Sequence, residues 1–435
     1  MVDWQISTLG QRCLKIGSGA TPRGGKEAYL GGGTTLIRSQ NVYNEGFARH
    51  GLAFIDEAQA SELSNVEVAA EDVLLNITGD SVARCCQVPL DVLPARVNQH
   101  VSIIRTDKRQ LDPRFLKYLL IEPRMQQRLL ALASAGATRN ALTKSMIERL
   151  EIAHPKVSEQ RAIAHVLGSL DDKIEFNRRN NQTLEAMGRA VFRDWFVDFG
   201  PVHAKAASSG AYLAADVWDA FPERFDGAAP QGWTKGPVSA WVMFNPAETL
   251  RKGSVAPYLD MAALPTEGAT PDQPAVREYG SGMKFRNGDS LMARITPCLE
   301  NGKTAFVQSL PDDAVAWGST EFIVMRPIAP VPRPYAYLLA RDAAFREHAI
   351  RSMTGTSGRQ RAPVQAIASF PVCLPTSEHV WKAFAAVVDP LFAGIRANAD
   401  ESRTLAGLRD VLLPKLMSGD LRIKDAERFI EEATA

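Results

Sequence analysis

Two long stretches of the chain carry mainly apolar residues at every seventh position. They cover residues 158–199 and 377–421. The heptad positions are Ile163, Leu170, Asn177, Leu184 and Val191 in the first stretch, with Val166, Lys173, Asn180 and Met187 interleaved, and Phe384, Leu391, Asn398, Leu405 and Leu412 in the second. Heptads sustained over this length predict a coiled-coil seam rather than an ordinary surface helix. Each helix of roughly 40 residues would be about 60 Å long at ~1.5 Å per residue, the length of a spacer.

The sequence outside these stretches has a different pattern. Short β-branched and apolar runs, such as residues 101–104 and 322–325, alternate with glycine and proline and with one or two helical segments. This punctuation predicts short strands joined by turns. We therefore expect two α+β modules, one before each heptad stretch.

The two modules repeat one another. Ordered matches join residues 74–78 to 291–295, 98–105 to 319–326, 136–140 to 355–360, 152–155 to 372–375, and 158–159 to 377–378. Every pair is about 220 residues apart, which is difficult to obtain by chance. The repeat predicts a tandem duplication of one module and one helix.

This organisation divides the chain as follows. We expect a first module at 1–157, a central helix at 158–199, a linker at 200–232, a second module at 233–376, a C-terminal helix at 377–421 and a tail at 422–435. The simplest closed arrangement is an antiparallel helix pair with the modules at opposite ends. Pro390 lacks a backbone donor, so we expect it to kink or restart the second helix.

Polar residues interrupt the heptad seam at equivalent places. Asn177 and Asn398 occupy the same seam position, where a buried Asn fixes the register of a coiled coil at some cost in stability. The alternative is a loose seam in which both residues are solvated. The sequence favours neither interpretation.

Composition and charge narrow the class of protein. With 435 residues, 45% apolar and 23% charged, the chain predicts a folded protein of two or three domains. The formal net charge of +1 does not indicate nucleic acid, so any basic surface must be local. No apolar run is long enough to span a bilayer and no secretion-signal pattern begins the chain, so we expect a cytoplasmic protein. The five cysteines, without a Cys-x-x-Cys pair, predict reduced thiols and neither disulfides nor zinc.

Catalytic motifs are incomplete. Residues 297–304 approach a phosphate-binding loop, but Pro297 replaces the first glycine and no helix pattern follows. The segment around Asn245 and Pro246 lacks the second proline and the aromatic residue of the adenine methyltransferase motif. The seven histidines show no metal-ligand pairing. We therefore expect no catalytic site, no metal and no cofactor in this chain.

Several strings resemble those of a known family. They are Ser-Glu-Gln-Arg-x-Ile at 158–163, Trp-Phe-Val-Asp-Phe at 195–199, Ala-Pro-x-Gly-Trp at 229–233, Ala-Arg-Ile-Thr-Pro-Cys at 293–298 with Gly302-Lys303, Gly-Thr-Ser-Gly-Arg-Gln at 355–360, and Leu-x-x-Leu-Arg-Asp-x-Leu-Leu-Pro-Lys-Leu-x-Ser-Gly-Asp-Leu at 405–421. With the order of module, helix, module, helix, they resemble the specificity subunits of type I restriction-modification systems. The resemblance covers nearly the whole chain.

The resemblance implies an α+β fold with two target-recognition domains, joined by two long antiparallel coiled-coil helices in a pseudo-two-fold tandem repeat. It also implies that each domain binds half of a bipartite, asymmetric site on double-stranded DNA. Two methyltransferase subunits would dock on the helices and methylate adenine with S-adenosylmethionine. Restriction subunits would join the full complex to cleave DNA with ATP. No membrane partner is implied.

Residues that could read DNA are expected in loops flanked by glycine. Base edges are read best by Arg, Asn and Gln, and phosphates by Lys, Arg, Ser and Thr. The candidates are Thr21, Arg23, Arg38, Gln40, Asn41, Thr138, Arg139 and Asn140 in the first module and Arg294, Lys303, Arg359, Gln360 and Arg361 in the second. For each, the alternative is a solvated surface residue. The Arg359 to Arg361 cluster is the strongest candidate.

Two further alternatives stay open at this stage. The aromatic stripe Phe192, Trp195, Phe196 and Phe199 could dock a methyltransferase subunit, but such stripes are more often core, and we favour packing against the second module. The rival function for the whole chain is a scaffold whose coiled coil joins two protein-binding or ligand-binding modules. Salt-dependent binding to mixed-sequence DNA separates the two functions.

Overall fold

A computed structural model describes residues 4–135, 140–356 and 358–434. The chain forms two compact units, the first made of Met1–Ile174 with Thr404–Ala435 and the second of Glu175–Arg403. Each unit contains one mixed module of helices and sheets together with segments of two long helices. The predicted α+β class, with two modules and long helices, is confirmed.

The first unit is built on two four-stranded sheets. The antiparallel sheet has the strand order Cys13–Ser18, Val101–Thr106, Val73–Asn76 and Cys85–Gln87. The mixed sheet has the strand order Ala53–Ile55, Thr34–Ile37, Ala95–Val97 and Glu67–Val68. Two short ladders pair Gln5–Thr8 with Glu151–His154 and Val42–Tyr43 with Gly46–Phe47. Only the Thr34–Ile37 and Ala95–Val97 pair in the mixed sheet is parallel.

The strand Val73–Asn76 begins with three consecutive apolar residues, and its packing explains them. Val73 and Leu75 pack in one buried cluster, while Leu74 packs in another. All four residues are buried. Because alternate side chains on a strand point to opposite faces, a strand between two cores must be apolar on both.

Short helices and 3-10 turns complete the first module. The helices are Glu57–Glu62, Pro113–Ile121, Pro123–Ser134 and Lys144–Glu148, and the 3-10 turns are Leu9–Arg12, Gly25–Ala28, Ser39–Asn41, Ser64–Val66, Gly79–Ser81 and Leu90–Val92. Pro113 occupies the first turn of its helix, where no backbone donor is needed, and the Asp112 carboxylate accepts from the N–H groups of Arg114 and Phe115. These signals start the helix locally.

The second unit repeats this topology. Its antiparallel sheet has the strand order Val242–Phe244, Phe322–Pro327, Ser290–Ala293 and Thr304–Phe306. Its mixed sheet has the strand order Ala275–Glu278, Val255–Leu259, Ala316–Gly318 and Met283–Phe285. Two short ladders pair Trp233–Pro237 with Pro371–Pro375 and Phe225–Asp226 with Ala229–Pro230. Its short helices are Gly200–Ala206, Ala215–Asp219, Pro334–Ala340, Ala343–Arg351 and Val364–Ala368, with a 3-10 turn at Val238–Ala240. Val255–Leu259 pairs in parallel with Ala316–Gly318, as the equivalent strands do in the first unit.

A buried ion pair is repeated with the strands. Asp72, immediately before Val73–Asn76, accepts two hydrogen bonds from Arg105, at 2.8 and 2.7 Å. Asp289, before Ser290–Ala293, accepts two from Arg326, at 2.6 and 2.7 Å. These hydrogen bonds raise the pKa of both guanidinium groups. Duplication therefore extends from sequence to topology and side-chain pairing.

The long helices span Val157–Phe196 and Glu378–Ser418. In the first unit their segments share a core that includes Ile163, Leu167, Leu170, Leu405, Leu412 and Leu416. In the second unit the paired segments run antiparallel: the Asn177 amide donates to the Asn398 carbonyl at 3.3 Å, and the Asn181 amide donates to the Ile395 carbonyl at 3.3 Å.

The seam asparagines are engaged in hydrogen bonds. Asn177 is fully buried, and its amide donates to a Glu401 carboxylate oxygen at 2.7 Å. The Asn398 amide donates to the Asn181 side-chain oxygen at 2.8 Å. The alternative interpretation, a loose seam in which this residue is solvated, is therefore wrong for Asn177. Such a cluster favours one register because a shifted helix would leave these polar groups unpaired.

Three local expectations differ from the structure. The second long helix continues through Pro390 without restarting; Ala386, whose carbonyl loses its partner to the proline, is exposed, so water can hydrate that oxygen. Residues 200–232, expected to be a linker, form short helices and a hairpin, with Val202 and Phe221 buried in the second unit's core. The expected tail forms a helix, Ile423–Thr434, which buries Ala426 in the first unit.

The aromatic stripe forms part of the core of the second unit. Phe192, Trp195 and Phe196 are buried, and Phe196 stacks on Trp381 with ring centroids 5.0 Å apart. Phe199 is half-buried and packs edge-on against Trp233. The favoured packing interpretation is confirmed for Phe192, Trp195 and Phe196, which are too buried to form a docking surface.

Candidate nucleic-acid interface

Three loops of the first unit meet where the strand Val73–Asn76 ends. The Ile77 N–H donates to the His100 carbonyl at 2.9 Å, and the Leu142 N–H donates to the Ile77 carbonyl at 2.8 Å. Thr78 forms a bridge with Ala141. We call this meeting point, defined by Ile77, Thr78, His100 and Ala141, the first junction.

Polar side chains surround the first junction. The Thr78 hydroxyl lies 2.6 Å from His100 Nδ1, and the Thr21 hydroxyl donates to Gln99 Oε1 at 2.8 Å. Thr21, Gln99 and Asn140 are exposed, and His100 is half-buried. The candidates Thr21 and Asn140 therefore lie on one surface with Gln99 and His100.

The sequence did not single out Gln99, His100 or Thr78. A signal was present, because residues 98–105 and 74–78 are among the repeated segments, and the structure places their junction at a loop surface. The prediction looked for glycine-flanked loops instead. A repeat that marks the end of a strand is the better guide, because strand ends are held at fixed positions by the sheet.

Most polar side chains of the loop at 38–41 form hydrogen bonds to nearby backbone groups. Asn41 is fully buried, with its amide nitrogen donating to the Ala48 and His50 carbonyls at 2.9 and 3.2 Å, and its oxygen accepting from the Arg38 N–H at 3.0 Å. Asn41 cannot also reach a base, so its proposed role is wrong. Its short polar side chain instead closes the loop.

The neighbours of Asn41 are held less completely. The Arg38 guanidinium donates to the Gly51 carbonyl and lies over the Tyr29 ring, and the Gln40 amide donates to the same carbonyl at 3.1 Å. Arg38 is half-buried, whereas Gln40 is exposed. Gln40 therefore stays the more accessible of the two.

The remaining candidates of the first module are Arg23 and the segment at 138–140. Arg23 is 90% exposed and lies 3.9 Å from Glu62, a separation at which an exposed ion pair contributes little. Thr138 and Arg139 lie outside the described residues. Their neighbour Asn140 is described, and its carbonyl accepts from the Gly79 N–H at 3.2 Å.

The second unit builds the same junction with different side chains. The Arg294 N–H donates to the Glu321 carbonyl at 3.0 Å, and the Ala362 N–H donates to the Arg294 carbonyl at 2.8 Å. Ile295 forms a bridge with Arg361. This second junction, defined by Arg294, Ile295, Glu321 and Arg361, matches the first position by position.

Some candidates of the second unit are accessible to solvent, and others form hydrogen bonds within the protein. Arg359 is exposed, and Gln360 and Arg294 are half-buried. Arg294 Nε is buried without a hydrogen-bond partner among the described residues. Lys303 is committed, since its ammonium donates to the Met261 and Ala262 carbonyls at 2.7 and 3.3 Å. Lys303 therefore fixes a loop in this structure and is a poor candidate for contacting DNA.

Arg361 is paired with an acid. Its guanidinium donates from Nε to both carboxylate oxygens of Glu321 at 2.9 Å, and from Nη2 to Oε1 at 2.8 Å. These hydrogen bonds raise the pKa of Arg361. Arg361 is therefore ion-paired in this structure, and its side chain is still 43% exposed.

The structure does not form the phosphate-binding loop that residues 297–304 approach in sequence. The near-match at 297–304 runs into the strand Thr304–Phe306, whereas a phosphate-binding loop opens a helix. Within the described ranges, no group of three or more His, Cys, Asp or Glu side chains could hold a metal ion. In the same ranges, no helix is both long and apolar enough to cross a membrane.

Comparisons with known proteins agree with this description. Residues 1–186 match the family described as type I restriction modification DNA specificity domain. The MjaIX specificity subunit of Methanocaldococcus jannaschii is 24% identical over 97% of this chain and 94% of its own length. The HindI specificity subunit of Haemophilus influenzae is 28% identical over 47% of this chain and 43% of its own length.

A solved structure shares the fold. The S subunit of a type I restriction-modification system from M. genitalium superposes with a TM-score of 0.53 at 15% sequence identity, covering 95% of this chain and 96% of that one. At this identity the likeness concerns the fold alone. Together with the matched domain and the full-length relative, it agrees with the duplicated modules and paired long helices seen here. Over nearly its whole length the chain is therefore similar to type I restriction-modification specificity subunits, and residues 1–186 match that family's DNA specificity domain.

Proposed function

We propose that this chain reads a bipartite, asymmetric DNA site, with each unit reading one half. The observation that carries the proposal is the junction built twice. Both units use the same backbone hydrogen bonds at the end of equivalent strands, yet His100 and Ala141 in one unit correspond to Glu321 and Arg361 in the other. A fixed backbone that presents different side chains suits two readers of different sequences.

The chemistry of the two surfaces supports this role. In the first unit Gln99, His100 and Asn140 offer amide and imidazole groups, and amides suit adenine in the major groove. In the second unit Arg359 and Arg361 offer guanidinium groups, which suit guanine or phosphate. With a net charge of only +1, binding depends on such local groups rather than on a basic surface overall.

The chain supplies recognition and other subunits supply the chemistry. Its relatives carry the name of specificity subunits of restriction enzymes, which supports assembly with further subunits and DNA. Two methyltransferase subunits would dock on the long helices and transfer methyl groups to adenine from S-adenosylmethionine. Restriction subunits would complete the complex and cleave DNA with ATP. The purified chain alone should therefore transfer no methyl group.

The experiment is to express the chain with its methyltransferase subunits and sequence the methylated positions of the host genome. The expected result is one motif made of two specified halves separated by an unspecified gap. Methylation without sequence preference, or a palindromic motif, would contradict the proposal. Labelled methyl transfer by the chain without those subunits would contradict its non-catalytic role.

The scaffold alternative makes a different prediction. A DNA reader that neutralises phosphates binds mixed-sequence duplex with an affinity that falls steeply as salt rises. A scaffold for protein or ligand modules shows no such binding. Titration of the assembled complex with a mixed-sequence duplex at several salt concentrations therefore distinguishes the two functions.

A further inference from the structure

The pairing of Arg361 with Glu321 leaves one edge of the guanidinium available. Glu321 takes the side formed by Nε and one Nη2 hydrogen, at 2.8 to 2.9 Å. Nη1 has a single longer contact, 3.4 Å to the Arg359 carbonyl. A guanidinium has five N–H donors, so the end formed by Nη1 and Nη2 can still donate to another pair of acceptors.

The ion pair is not needed to build the junction. In the first unit Ala141 stands at the position of Arg361 and His100 at that of Glu321, and the same backbone bonds form. An alanine cannot form an ion pair. The Glu321–Arg361 pair is therefore an addition to a backbone that assembles without it, which argues against a purely structural role.

The location and exposure of the pair fit contact with a ligand. The Arg361 side chain is 43% exposed and the Glu321 side chain 23%. An exposed ion pair contributes little to stability, because water screens it and holding two side chains costs entropy. Its main physical effect is to hold a flexible arginine in one orientation and to cancel most of its net charge.

We propose that Glu321 is a positioning residue that holds Arg361 so that its Nη1 and Nη2 edge reads one guanine of the target site. Guanine presents two acceptors, O6 and N7, in the major groove, and an arginine fork matches both. The adjacent carboxylate makes the same place unfavourable for a phosphate, so the pair favours a base edge over the DNA backbone. This inference rests on the proposed function and specifies which chemical group the second unit recognises.

The test uses the full chain assembled with its methyltransferase subunits and a library of randomised duplexes, from which bound sequences are selected. For the wild-type complex we expect a guanine at one position of one half-site. Arg361→Lys keeps the charge but not the fork, so discrimination at that position should fall roughly ten- to a hundredfold. The other half-site should be unchanged.

Glu321→Ala tests the positioning role itself. With the carboxylate removed, the released Arg361 can pair with phosphate, so the preference for guanine should weaken and the salt dependence of binding to mixed-sequence DNA should steepen by about one unit of slope. Glu321→Gln, which keeps an acceptor oxygen, should fall between Glu321→Ala and wild type. A purely structural role would alter none of these quantities selectively.

The matched control is Glu347→Gln, which removes the partner of Arg351 in an exposed pair of the same unit, 76% and 60% exposed. It should leave selected sequences and salt slope unchanged. If the wild-type complex selects a bipartite site while Arg361→Lys and Glu321→Ala select the same bases, this inference is overturned and the proposed function stands. If the wild-type complex selects no sequence, the proposed function itself fails. Should Glu321→Ala melt early, Arg361→Lys and Glu321→Gln decide the matter.

Discussion

Two asparagines in loops of the first unit show how burial separates structural from accessible polar groups. Asn41 is fully buried and saturated by three backbone partners. Asn140 is exposed beside the first junction. A sequence pattern gives both the same interpretation, because other polar residues precede each one in the chain. Their energetic roles should differ sharply.

Asn41→Ala should lower the free energy of unfolding by about 1 to 3 kcal/mol, because the mutation leaves two partly buried backbone carbonyls and one N–H without their side-chain partner. Asn140→Ala should change it by less than about 0.5 kcal/mol, as exposed substitutions do, but should weaken DNA binding. Chemical denaturation and DNA titration of both variants measure this pair of effects. A stable Asn41→Ala protein would contradict the structural role assigned to that residue.

Arg359 and Arg361 should differ although they are two residues apart. Arg359 is exposed, whereas Arg361 is held by Glu321. We expect Arg359→Ala to weaken binding to all sequences about equally and to reduce the salt slope by about one, as the loss of a phosphate contact does. Fluorescence titrations against target and mixed-sequence duplexes at several salt concentrations measure both quantities. Arg351→Ala, at an exposed position on a helix of the same unit, is the control and should change neither.

At the scale of elements, the long helices are tied to the modules by buried charges. In the first unit, Asp171 on the first long helix accepts from Lys117 and from the Tyr118 hydroxyl, both at 2.6 Å, and from Arg409 of the second long helix at 2.9 Å. Burial alone would raise the pKa of Asp171, but Lys117 and the hydrogen bonds lower it below its ordinary value. One carboxylate therefore joins three helices.

Asp171→Asn should destabilise the first unit by about 3 kcal/mol, because it leaves the buried Lys117 without its counter-ion, whereas Arg409 keeps its pairing with Asp410. The lowered pKa means that this stabilisation is present above about pH 4, the ordinary value for Asp, and is lost as the pH falls through the folded-state value. Thermal melts of wild type and variant should therefore converge as the buffer is acidified below about pH 4.

The neighbouring acid provides the control for that experiment. Asp172 is 68% exposed and pairs with Arg114. Asp172→Asn should cost at most about 1 kcal/mol, since exposed pairs are screened by water. Equal destabilisation by the two variants, or a difference between wild type and Asp171→Asn that does not depend on pH, would contradict the assigned role of Asp171.

At the scale of the whole molecule, duplication predicts that the two readers act independently. The backbone of each junction is made from bonds within its own unit. Substitutions at Gln99 and Asn140 should change the specified bases of one half-site only, and substitution of Arg361 those of the other. Methylome sequencing of hosts carrying the full complex with either set of changes measures this. A variant that alters both halves together would contradict independent reading.

Much of this architecture was predictable because it rests on patterns that local physics imposes. Heptads predict long helices, since apolar residues must repeat with the helix period to form a seam. The ordered repeat predicted two equivalent modules, and Pro113 after Asp112 marks a helix start by its own backbone and capping chemistry. These signals depend on residues close in the chain, so they can be recognised in the sequence alone.

The candidate site was predictable only in part. Thr21, Asn140, Arg359 and Gln360 are on exposed or half-buried loops, as expected. The fates of Asn41, Lys303 and Arg361 were not readable, because each depends on a partner distant in the chain or on a loop closure: the Ala48 and His50 carbonyls, the Met261 carbonyl, and the Glu321 carboxylate. The tertiary surroundings of a polar side chain decide whether it forms its hydrogen bonds within the protein or stays accessible to DNA.

The sequence by itself determined the α+β class, the duplication, the long helices and the absence of a recognisable catalytic motif. Tertiary structure alone decided that the expected linker folds onto the second unit's core, that Asn177 is buried, and that Arg361 pairs with Glu321. The physical reason is that periodicity and capping act between near neighbours along the chain. Burial and charge pairing act between residues that only the completed fold brings together.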